Sequence, residues 1–91
     1  MKTVHDLTNE ELESCIDGTT DLDMIRTILS KEYVVDDDGI VDVFEFADEF
    51  AALLENFITE DKDTAEWEEA WDTNFSWGCD IAHSINDLIQ E

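Results

Sequence analysis

From Trp67 to Ile89 the apolar residues keep one phase. Trp67, Ala70, Trp71, Phe75, Ile81, Ala82, Ile85, Leu88 and Ile89 fall on a single side when the chain is wound at about 100° per residue. A stripe of this length commits the last third of the chain to helix and demands an apolar surface to cover it. Gly78 lies on the stripe. The pattern reads either as one helix over about residues 64–90, bent near Gly78, or as two helices broken between Thr73 and Gly78. The unbroken phase favours near-continuity. The chain has no proline, and its glycines stand at 18, 39 and 78, so connections are short and helix dominates.

Upstream, the helix starts are signalled by side chains that satisfy free backbone N–H groups. Thr8 with Glu11 forms a capping-box pattern, predicting a helix from about Asn9 to Ile16 that Asp17-Gly18-Thr19 stops. Thr20 with Asp23 repeats the pattern before Met24, Ile25, Ile28 and Leu29. Asp42 with Glu45 opens a third helix, about residues 43–57, with Val43, Phe46, Ala47, Phe50, Leu54 and Phe57 on its apolar side. Tyr33, Val34 and Val35, followed by Ile40 and Val41, suggest a short extended segment or hairpin within 32–41. The expected fold is mainly α, one small domain over residues 1–91 with about four helices.

The charge is the second constraint. Twenty-six Asp and Glu stand against four Lys and Arg, a formal net charge of −22, while 43% of residues are apolar. The apolar share supports a packed core rather than a disordered acidic tail. The charge repels nucleic acid and anionic membrane and attracts cations and basic proteins. No run approaches the length of a membrane span, and no cationic, apolar leader pattern is present. Cys15 and Cys79 are too few for a disulfide framework. A soluble cytoplasmic protein with reduced thiols is the expectation, with one Cys15–Cys79 bridge as the alternative.

Within "YVVDDDGIVDVFEFADEF", residues 33–50, lies a pattern familiar from calcium loops. With Gly39 at the sixth position of twelve, Asp36 and Asp38 occupy the third and fifth, Asp42 the ninth and Glu45 the twelfth. The stretch resembles an EF-hand. That resemblance implies Asp36, Asp38 and Glu45 as calcium ligands, with the Ile40 carbonyl. Val34 stands at the first position, where the family has Asp. The sequence holds no second loop, since Glu66 stands where the Asp61–Asp63 spacing needs glycine. The competing reading is an Asp37-Asp38-Gly39 turn followed by an Asp42 cap, with no metal and no cofactor. Cys79 and His83, four residues apart, with His5 and Cys15 elsewhere, make a weaker zinc set beside the plain reading of buried thiols. No phosphate loop, nucleophile motif or basic pocket occurs, so an enzyme is not expected. Trp67 and Trp71 are expected in the core, and Trp77 at its rim or at a partner.

Fifteen of the acids lie between residues 34 and 72, with Lys62 the one base there. This concentration nominates Asp36, Asp37, Asp38, Asp42, Glu45, Asp48, Glu49, Glu66, Glu68, Glu69 and Asp72 as one continuous negative surface. Duplex DNA carries a charge per about 1.7 Å, so 22 charges match about 37 Å of duplex, against roughly 30 Å for a compact chain of this size. In size, charge and lack of catalytic motifs the chain resembles the small phage and plasmid proteins that mimic DNA, the antirestriction, anti-CRISPR and glycosylase inhibitors. The resemblance is one of composition and carries no family residues across. It implies a partner with a basic nucleic-acid groove, no direct nucleic-acid or membrane binding, and action in a host cytoplasm. A homodimer stays open. An acidic protein-interaction module is the alternative. Solubility and salt adaptation are the plainer explanations, but so large a charge costs stability through self-repulsion. Eight Ile and three Lys to one Arg also run against a halophile composition.

Overall fold

The computed structural model describes residues 3–16 and 22–90. It is mainly α, with four helices: α1 (Asn9–Cys15), α2 (Leu22–Leu29), α3 (Val43–Leu54) and α4 (Ala65–Gln90). One 3-10 turn, Val4–Asp6, precedes α1, and another, Glu55–Phe57, extends α3. The predicted Asp17-Gly18-Thr19 stop and the Thr20 cap lie outside the described residues.

The caps form as their residues dictate. The Thr8 hydroxyl accepts from the Glu11 N–H at 3.2 Å, and the Glu11 carboxylate accepts from the Thr8 N–H at 3.0 Å. Asp42 Oδ1 accepts from the Glu45 N–H at 3.0 Å and opens α3. Thr64 does the same for α4 through the Trp67 N–H, at 3.3 Å. A pairing not expected from the sequence joins Asp6 to the Thr3 N–H at 3.0 Å. This hydrogen bond holds the Asp6 carboxyl below its ordinary range.

α4 runs unbroken through Gly78. A Cβ at Gly78 would stand 2.9 Å from the Ala47 Cα and 3.1 Å from Phe50 Cδ1. The glycine is therefore a point of close contact between α3 and α4, not a break. The two helices run antiparallel. Asn86 meets Val41, Gly78 meets Ala47, Trp77 packs edge-on to Phe50, and Ala70 and Asn74 share a groove with Leu54 and Phe57.

The hairpin at 32–41 is reduced to a single antiparallel bridge, Val35 with Val41, and no strand forms among the described residues. Gly39, at φ 79°, makes the turn. The Asn86 side chain supplies the missing neighbour. Its amide nitrogen donates to the Val41 carbonyl and its oxygen accepts from the Val41 N–H, both at 2.9 Å. Here α4 does what a next strand would do.

The core joins Val4, Leu7, Leu12, Ile25, Ile28, Leu29, Val34 and Val41 to Phe46 and Phe50 of α3 and to Ile81, Ile85 and Ile89 of α4. Every described buried side chain in it is apolar. On α4, burial begins at Gly78. Two expectations from the sequence do not hold. Trp67 and Trp71 lie on the apolar stripe but are only half-buried, and Phe57 is 75% exposed. The reason is the length of the cover: α3 ends at Leu54, α1 and α2 pack at the other end, and among the described residues only the 3-10 turn and the connection after it reach the first turns of α4. The chain is accordingly longer than a compact chain of its size. Its extents are 45 × 25 × 18 Å with a radius of gyration of 13.5 Å, where compact packing predicts about 12 Å. α4 alone contributes about 39 Å.

Candidate protein-binding surface

The nominated acids occupy three places. The first is the turn. Asp36 is folded into it, with one carboxylate oxygen accepting from the Asp38 N–H at 2.9 Å and the Ile40 N–H at 3.0 Å. Asp37 and Asp38 are exposed. The N-terminal segment pins the turn from below: the Val4 N–H donates to the Gly39 carbonyl at 3.1 Å, and a Cβ on Gly39 would fall 2.3 Å from that of Thr3. Val34, at the first position of the calcium-like register, is fully buried in the core. Asp36 and Asp42 give carboxylate oxygens to backbone N–H groups, as turn and cap residues do. Among the described residues no three His, Cys, Asp or Glu side chains converge as a metal site.

The second place is the outer side of α3, with Glu45, Asp48 and Glu49. Glu49 accepts a hydrogen bond from the Tyr33 hydroxyl and pairs with Lys31 at 3.9 Å. The bond to Glu49 pushes the Tyr33 phenol up to about 12. The third is the first half of α4, where Glu66, Glu68, Glu69 and Asp72 are all exposed.

These places do not all share one face. α3 and α4 bury their facing sides against each other, so Glu45 and Glu69, on their outer sides, point away from one another. The turn is held by Asn86, fourteen residues beyond Asp72, or about 21 Å further along α4. The acids surround the rod rather than line one track.

Along one flank, however, the two helices bring acids and aromatic rings together. Phe44 of α3 is 67% exposed, and its ring lies 5.4 Å from that of Phe75, edge to face. Phe75 stacks at 5.6 Å on Trp71. Glu68 is on the same line of α4 as Phe75, two turns earlier, and Asp72 is one turn before it. Asp48 is one turn after Phe44, and Glu55 is three turns after it, at the end of α3. Lys62 lies near Glu55, 3.5 Å away, with its ammonium 5.8 Å from the centre of the Trp67 ring. Phe44 is not among the residues expected at the surface from the sequence. Its signal was present: Phe44 is out of phase with Val43, Phe46, Ala47 and Phe50, so a large apolar side chain had to emerge beside the stripe.

Of the other bases described, Arg26 ties the start of α1 to α2. It donates to Asn9 Oδ1 at 2.9 Å and to the Leu7 carbonyl at 3.4 Å. The thiols of Cys15 and Cys79 are free, and partial burial raises both above the usual thiol range. Among the described residues no helix is long and apolar enough to cross a membrane. Comparison with family models, with curated proteins and with solved structures gave no match.

Proposed function

We propose that this chain is a binding protein that imitates DNA and fills the nucleic-acid groove of a basic host protein. The observation behind the reading is charge per length. A net −22 on a body 45 Å long is one charge per about 2 Å, against about 1.7 Å for duplex DNA. Carboxylates around a narrow rod would offer a groove about the charge per length of a duplex. Lys and Arg that release counterions on binding phosphate would do so on Asp37, Asp38, Asp48, Glu66, Glu68, Glu69 and Asp72. The same charge disfavours binding to nucleic acid itself and to anionic membrane. A defence nuclease of the restriction or CRISPR type, met in the cytoplasm of a host cell by a protein of a mobile element, is the setting we assign.

The test is capture of partners from host lysate on the immobilised protein, with a salt gradient for elution and duplex DNA as competitor. The captured protein should bind DNA by itself, duplex should displace it, and its affinity should fall steeply with salt. A partner that binds no nucleic acid, or that duplex fails to displace, ends this reading.

A further inference from the structure

The flank between α3 and α4 carries more than charge. Phe44, Phe75 and Trp71 form a continuous row of rings at a surface otherwise crowded with carboxylates. Asp48 and Glu55 border it from α3, and Glu68 and Asp72 from α4. An aromatic face attracts a cation, and carboxylates at its edge add a directed partner. The chain seats one of its own cations at the end of this row, where Lys62 is paired with Glu55 and poised over Trp67. The remaining rings have acids beside them and no base of the chain against them among the described residues. We infer that this flank is the arginine-binding centre of the interface, where guanidinium groups of the partner's groove lie on Phe44, Phe75 and Trp71 and pair with Asp48, Glu68 and Asp72.

Arginine rather than lysine follows from the combination of rings and carboxylates. A guanidinium is planar, stacks on rings while forking its N–H donors to a carboxylate, and is more weakly hydrated than an ammonium. The inference rests on the DNA-mimic reading and deepens it. Phosphate-like charge alone treats the two bases nearly alike, whereas the row selects between them and gives the complex a part of its affinity that salt does not screen.

Two nine-residue peptides, all arginine and all lysine, serve as probes, titrated calorimetrically against the intact protein at about 0.3 M salt to suppress long-range attraction. The arginine peptide should bind about five- to tenfold more tightly. Phe44→Ala combined with Trp71→Leu should remove that preference while the lysine affinity stays within about twofold. Phe57→Ala, which removes an exposed ring on the opposite flank, should leave it intact. Helical circular dichroism checks each fold, and Phe44→Ala alone, at an exposed position, should at least halve the preference if the double variant unfolds. Equal binding of the two peptides, a preference that survives the ring substitutions, or one lost equally with Phe57→Ala would overturn the inference. None of these outcomes touches competition by duplex DNA, so the two readings fail separately.

Discussion

Replacing Gly78 by alanine sets two effects of opposite sign against each other. Helix propensity alone favours alanine by about 1 kcal/mol in the interior of α4. The new Cβ, however, would lie 2.9 Å from the Ala47 Cα. Ordinary carbon–carbon contact is about 3.5–4.0 Å, so α3 and α4 must part by roughly 0.5–1 Å. The obstacle is helix backbone, and no rotamer change relieves it. Overpacking of this kind costs about 1–3 kcal/mol. Separation also loosens Phe50 from Trp77, now 5.2 Å ring to ring, which places the cost at the upper end. The net expectation is a loss of about 1–2 kcal/mol, or a Tm lower by about 4–16 °C for a domain of this size. Thermal unfolding followed by circular dichroism measures it, with Ser76→Ala on the exposed side of α4 as the propensity control. If Gly78→Ala raises Tm as the control does, the helices are not in the close contact on which the aromatic flank also depends.

Tyr33, the one tyrosine, gives a pH readout through tyrosinate absorbance. The bond to Glu49 pushes its phenol from the ordinary value of 10.0 up to about 12. The stability this bond contributes is therefore present below about pH 10 and lost as pH rises toward 12, and Glu49→Gln should bring the titration back toward 10. An unshifted titration in Glu49→Gln would show that Glu49 does not hold the phenol. Self-repulsion predicts a Tm that climbs between low salt and about 0.3 M, and a flat profile would mean that the charges are locally balanced. Reversing Glu66, Glu68 and Glu69 to lysine, or Asp37 and Asp38 while sparing the turn-forming Asp36, should abolish competition with DNA for the captured partner. Reversing Glu10 and Glu13 should change it little, and the opposite order would put the binding face at α1.

The helices were legible because caps and periodicity are local. Thr8 with Glu11, and Asp42 with its Glu45 N–H, act within one turn of chain, so a window of sequence contains the whole cause. Periodicity also told which side of α4 is apolar, but not what lies across from it. Trp67 and Trp71 share a phase with Ile81 and Ile85, and only the length of α3 decides that the first pair stays half-exposed. The same limit applies to the candidate surface. A count of acids along residues 34–72 cannot distinguish one track from three places on a rod, because the sides of α3 and α4 are assigned by their mutual packing. Phe44 beside Phe75 and Asn86 beside Val41 are pairings across distant sequence, made by the close approach at Gly78.

The acidic turn is fastened by both ends of the chain. From one side Val4 donates to Gly39, and from the other Asn86 holds Val41 across a separation of 45 residues. A contact of that span closes a long loop and bears its entropy, so it depends on the packing of the chain between its ends. A two-residue bridge has little persistence alone. The hairpin is thus held in shape by the tertiary fold and not by its own ladder: amide protection at Gly39 and Val41 in hydrogen exchange should track opening of the whole molecule, and Asp37 and Asp38 keep fixed positions only while the Val4 and Asn86 contacts hold.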